Sequence, residues 1–337
     1  AVGVPTGLEM PKLTDVIPNS ITWIIVVLII GGLTTWIAAK GYGMVSQAAN
    51  WMSPVIVLAF LACGVVASNQ LGIQSFSDFV AVWGEGSEPF PGQIKYTFWH
   101  VFLWSWFCNA AMHIGMSDLS VFRYAKSAES GWTTAAGMYV GHYMAWIAAC
   151  LLYAVYIKSP EAAAFLAEGT APPVAPGPLA YNAIGWFGII AVILAGWTTA
   201  NPTIYRSGLA FQAILPKWSI TKATVLAGSV ATIAGIFPAF AMKLLDFVAV
   251  YGFILAPIGA VVVFEYYFAD RYGVIKNYAE KSNIAFNKSV FFAWLISFVI
   301  FFGWSKTQGV FLSFLTLPSW LCCGILFVVF SKIYQKK

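Results

Sequence analysis

The run Leu194-Ala195-Gly196-Trp197-Thr198-Thr199-Ala200-Asn201-Pro202 places oxygen-bearing side chains and a helix-disrupting proline inside an otherwise apolar stretch. On a helix Ala195, Thr198, Thr199 and Pro202 share a broad face, with Asn201 at its edge. Pro202 has no N–H and crowds the carbonyl four residues back, so the Thr198 carbonyl loses its helical partner and the axis tends to kink. Carbonyl and hydroxyl oxygens together suit a hard cation such as sodium. The competing chemistry is local, because each threonine hydroxyl can instead donate to the preceding turn. A second run, from Trp99 to Gly115, carries Trp104, Trp106 and Phe107, whose rings could stack on a planar heterocycle, with Asn109 near its middle. An unpaired amide in hydrocarbon is costly, so Asn109 is expected to face the bundle. His113 could donate and accept hydrogen bonds there, or titrate with a coupled proton. In a third run Pro257 frees the Phe253 carbonyl, and Gly252 and Gly259 relieve crowding around it, which serves either a gate or close packing.

These residues need long apolar helices to hold them. Of 337 residues, 60% are hydrophobic and 9% are charged, whereas a soluble domain carries roughly a quarter of its residues as charges. Repeated apolar stretches match the length of about 17 to 25 residues that a helix needs to cross the hydrocarbon layer. In lipid every backbone group must be satisfied internally, so these stretches become helices. Spans are expected near 21–39, 52–68, 97–117, 132–156, 184–206, 221–241, 247–268, 289–304 and 310–330. The segment 41–54 is polar enough for a turn region, and 158–182, with its Pro172-Pro173 and Pro176-Gly177-Pro178, reads as irregular loop.

Charge gives the expected orientation. With the amino terminus outside, thirteen of the 18 basic residues, Lys40, Arg123, Lys222 and Lys332 among them, fall on the cytoplasmic side, as the positive-inside rule requires. The carboxyl terminus is then cytoplasmic, in a multi-pass protein of the plasma membrane. Nothing before Ser20 resembles a signal peptide, so an upstream segment with an odd number of spans is expected. The net charge of +5 lies in short loops and at span ends, where it suits lipid headgroups and not nucleic acid. The cysteines, Cys63, Cys108, Cys150, Cys322 and Cys323, all fall inside spans and read as small packing residues. His100, His113 and His142 are dispersed, and no paired acids or phosphate-binding loop occur, so a transporter is expected ahead of an enzyme or a channel. A purely structural membrane protein is the remaining alternative. Against it stands the coincidence of polar and helix-disrupting residues near the middle of more than one span.

Trp197-Thr198-Thr199 followed by Asn201, Tyr205 and Ser207-Gly208-Leu209, together with Ala256-Pro257-Ile258-Gly259 ahead of Glu265-Tyr266 and the run Arg123-Tyr124-Ala125-Lys126, resembles the nucleobase and cation symporter family, which includes cytosine permeases and hydantoin carriers. The resemblance extends to the order and spacing of nearly every span. It implies an all-α five-plus-five inverted-repeat transporter fold of which this chain corresponds to spans four to twelve. Residues 1–70 would end the first repeat, 97–268 form the second, and 289–337 add two peripheral spans and a cytoplasmic tail. Such repeats place a site at midplane between broken helices. The resemblance further implies that Ala195, Thr198 and Thr199 form half of a cation site and that Trp106, Asn109, His113 and Asn201 contact a small planar heterocycle. Gly115, Pro202, Gly252 and Pro257 would be helix-break or gating positions. No cofactor is implied beyond a coupling sodium ion or proton. Two departures from the family pattern, Ala200 after the threonine pair and Asn109-Ala110-Ala111 in the earlier span, bear on which substrate is carried. Without the upstream spans that complete both sites, the 337 residues alone are expected not to transport.

Overall fold

The computed structural model describes residues 3–7, 11, 15–18, 20–83, 95–112, 122–172 and 174–335. Its regular elements are helices: α1 (Gly3–Thr6), α2 (Ile21–Ala39), α3 (Tyr42–Leu71), α4 (Phe76–Trp83), α5 (Phe98–Met112), α6 (Ser130–Tyr156), α7 (Pro160–Ala167), α8 (Pro176–Ile184), α9 (Trp186–Ile214), α10 (Ile220–Gly235), α11 (Pro238–Tyr272), α12 (Tyr278–Lys281), α13 (Lys288–Gln308) and α14 (Leu312–Tyr334). Among the described residues seven are long and apolar enough to cross a membrane: α2, α3, α6, α9, the Val250–Tyr272 part of α11, α13 and α14. The chain is an all-α polytopic membrane protein. Of the two other expected spans, α10 has 16 residues, about 24 Å of helix, and α5 reaches Met112, where the description of that segment stops.

Local chemistry sets the helix ends. Ser20, Ser219 and Asn287 are extended N-cap residues whose side chains accept from the first-turn N–H groups of α2, α10 and α13, satisfying donors that have no partner within the helix. Gly72 and Gly309 close α3 and α13 in left-handed conformations, with φ of 72° and 66°, which glycine adopts without steric cost. Three expectations are corrected. Residues 42–54 are helical, because Pro54 lies inside a continuous α3 and removes only one hydrogen bond from a long apolar helix. The connector 158–182 holds two short helices, each opening on a proline at its first position, where the missing N–H costs nothing. The break expected after residue 241 falls instead at Ile236 and Phe237, because Pro238 cannot continue α10 yet is well suited to start α11.

Two compact units divide the chain, one of residues 1–95 and 121–241, the other of 96–120 and 242–337. In the first, α10 packs on both α2 and α9. The α2 contact is reciprocal: Gly31 lies against Thr232, and Gly228 lies against Thr35. Gly208 of α9 meets Thr224 of α10 in the same way. Glycine lets two backbones approach where lipid supplies no hydrophobic drive for association. The Trp23 indole of α2 donates to the Ile236 carbonyl at 2.9 Å, tying the start of α2 to the end of α10.

In the second unit α13 and α14 pack together and α14 also meets α5. Their core gathers Ala260, Val261, Ala293, Cys323 and Phe327 around Phe264 and Trp320. Glu265, near the end of α11, accepts from the Asn277 N–H at 3.1 Å, in keeping with an interfacial place for this carboxylate.

Candidate functional site

The structure settles where the oxygens of the Thr198-Thr199 pair stand. Both hydroxyls donate to the Ala195 carbonyl, each at 3.0 Å, and α9 continues through Pro202. The local alternative is therefore what this conformation adopts. Each hydroxyl oxygen keeps lone pairs after giving its proton, so the two Oγ1 atoms still offer acceptors on one side of the helix. Thr203 and Ser207 bond back to the Thr199 and Thr203 carbonyls at 2.8 and 2.9 Å, extending the same habit by two turns.

Asn201 behaves differently. It is 2% exposed, and among the described residues its Oδ1 has no hydrogen-bond partner. One turn earlier, the Trp197 Nε1 is also buried and without a partner among those residues. Residues four apart lie on one helix face, so an unanswered donor and an unanswered acceptor stand one turn apart on α9. Leaving such a group buried costs about 1–3 kcal/mol. The same face continues into Tyr205 and Gly208, both buried, and Tyr205 packs with Ile37, Ala38 and Val45 in a core that Trp197 borders.

Tyr205 leads to a cluster that the spacing of residues gave no means of finding. Its hydroxyl is 3.2 Å from that of Tyr124. Arg123 Nη2 donates to the Tyr124 oxygen at 2.7 Å, and the Tyr124 ring stacks on Tyr42 at 4.3 Å and 13°. The hydrogen bonds from Tyr205 and Arg123 hold the Tyr124 phenol below its ordinary range, and the bond to Tyr124 raises the Arg123 guanidinium. The start of α3, the segment before α6 and the middle of α9 are thus tied together.

No family model, curated protein or solved structure matches this chain. Its function must be argued from its own residues.

In the second unit the Trp106 ring meets Trp320 edge to face at 5.8 Å. Asn109 lies on α5, and its side chain is outside the described residues, as are His113 and Gly115 entirely. Gly252 is buried and α11 runs unbroken through Pro257. Phe253 is fully buried, and Trp294 Nε1 donates to the Ile254 carbonyl at 2.7 Å, beside the carbonyl that Pro257 deprives of its partner. An indole on another helix thereby pins the place where α11 could bend. The two groups of candidate residues belong to different units, Ala195, Thr198, Thr199, Asn201 and Pro202 to the first and Trp106, Asn109, Gly252 and Pro257 to the second. Among the described residues no group of three or more His, Cys, Asp or Glu could hold a metal ion. A cation on α9 would be held by hydroxyl and carbonyl oxygens.

Proposed function

We propose that this protein is a secondary active transporter that moves a nucleobase or related planar heterocycle by alternating access, coupled to sodium ions or protons. The observation that carries the proposal is the pair on α9, the buried Asn201 Oδ1 and Trp197 Nε1 that nothing among the described residues satisfies. A polar group left unanswered inside a membrane span is costly, and a bound substrate that answers it recovers that cost. The amide and the indole N–H supply the acceptor and donor that the edge of a heterocycle requires, and the outward lone pairs of Thr198 and Thr199 suit a hard cation on the adjoining face. The similarity of the Trp197-Thr198-Thr199 run to nucleobase and cation symporters supports the same assignment, as does the inverted-repeat plan it implies.

A purely structural membrane protein is the second reading, favoured by the return of both threonine hydroxyls to Ala195. Uptake separates the two. The natural full-length protein is reconstituted in proteoliposomes and given labelled cytosine, uracil, adenine or a hydantoin, with sodium and pH gradients imposed separately. Saturable uptake of one compound driven by one gradient supports the transporter. Failure of all four under both gradients in folded protein favours the structural reading.

A further inference from the structure

We infer that the groove between α2 and α10 is a binding site for one anionic phospholipid, with its headgroup at Lys40. The groove lies wholly within the first unit and measures about 840 Å³. It runs from Lys40 and Trp36 at one end to Leu28 at the other along α2, and from Thr221 past Val225 to Ile233 along α10. Each side covers twelve residue steps, about 18 Å at the helical rise. One leaflet of the hydrocarbon layer is about 15 Å deep. The groove therefore has the depth of one acyl layer plus the ester region above it, and its walls carry the half-exposed side chains Leu28, Trp36, Val225 and Ile233.

Its two ends differ in chemistry. The deep end is closed by Leu28 and Ile233 with Thr232, an uncharged end whose Thr232 hydroxyl gives its proton to the Gly228 carbonyl at 2.7 Å. At the other end Lys40 follows the last turn of α2, exposed, with its ammonium 5.7 Å from the centre of the Trp36 ring. Thr221 adds a hydroxyl in the first turn of α10. An indole beneath an ammonium is the arrangement that side chains at the membrane–water interface adopt, the stem in hydrocarbon and the charge at headgroup level. The helices that form and flank it carry charge of one sign. No acidic residue occurs in 16–77 or 169–241, the stretches holding α2, α3, α9 and α10, whereas Lys40, Arg206, Lys217 and Lys222 do. A zwitterionic headgroup would bring its own cation to this end, and a phosphate with net negative charge answers it better. The floor is close-packed, because at Gly31 and Gly228 the two helices approach the Thr232 and Thr35 side chains too closely for a Cβ, so an acyl chain would lie on a continuous wall.

The test reconstitutes the protein in vesicles of equal parts phosphatidylglycerol and phosphatidylcholine, one of the two carrying a photoreactive diazirine on an acyl chain. After irradiation the adducts are located by mass spectrometry. The inference expects phosphatidylglycerol adducts concentrated on residues 28–40 and 221–233, in excess over phosphatidylcholine. Lys40→Gln should lower the phosphatidylglycerol yield about fivefold, the worth of one interfacial lysine, and leave phosphatidylcholine unchanged, while Lys40→Arg keeps the preference. Val225→Trp, which fills the groove, should lower both. Lys40 is exposed beyond the helix end, so its variants leave the packing intact. Equal labelling by the two lipids in both the parent and Lys40→Gln would overturn the inference. So would the absence of adducts on these helices, the result if a second copy or another protein covers the groove.

Discussion

At the scale of single residues, the contrast between Asn201 and the threonines before it decides what each substitution should do. Thr198 and Thr199 satisfy themselves on Ala195, so Thr198→Val with Thr199→Val should change the melting temperature little, while cation-dependent uptake is lost. Asn201 has a buried acceptor with no partner among the described residues, and an apolar side chain of similar size removes that penalty of about 1–3 kcal/mol. Asn201→Leu is expected to melt no lower than the parent in detergent and to have lost uptake. A lower melting temperature would mean that the amide holds the fold. Tyr124 gives a titration. Its folded pKa lies below the ordinary value near 10, so the folded state releases this proton first. Stability contributed by the phenol grows as pH rises from the folded to the ordinary pKa. An ultraviolet titration of the tyrosines should show an early-ionising phenol that is missing in Tyr124→Phe.

The elements show what could be read along the chain and what could not. Apolar runs marked the spans, and Ser20, Ser219 and Asn287 are recognisable caps because capping depends on a few adjacent residues. The α10–α11 break was misplaced because both sides of Pro238 are equally apolar, and only the proline distinguishes a joint from a continuing span. The short α7 and α8 lie in a connector whose prolines read as loop yet also suit a first helical turn. Nothing in sequence pairs Gly31 with Thr232 or Gly228 with Thr35, because each contact joins positions far apart in the chain. That interface predicts its own repair. Gly228→Ala puts a methyl group into Thr35 and should cost about 1–3 kcal/mol as overpacking, read as a lower melting temperature. Gly228→Ala with Thr35→Ala should recover most of the loss. If the double variant loses as much as the two singles together, the contact is not what holds α2 to α10.

For the whole molecule, the positive charge at span ends predicts topology. Single cysteines replacing Lys40, Lys222 and Lys332 in a chain freed of its five native cysteines should react with an impermeant maleimide from the cytoplasmic side alone, and one replacing Lys158 from the outside alone. The candidate residues were legible in part. Trp197 and Asn201 stand in a motif, but their lack of partners emerges only when α9 is packed, and the Tyr42–Tyr124–Tyr205 cluster joins residues that no local pattern connects. Transport further requires that cation and substrate alter each other's affinity by the same factor, about 5- to 150-fold for a coupled pair of sites. The most direct test is equilibrium binding to the full-length protein, with heterocycle affinity measured with and without sodium and across pH, and cation affinity measured with and without the heterocycle. A transporter of the proposed kind predicts one shared factor in both directions, lost in Asn201→Leu; heterocycle and cation binding that ignore each other, or no heterocycle binding at all, would contradict it.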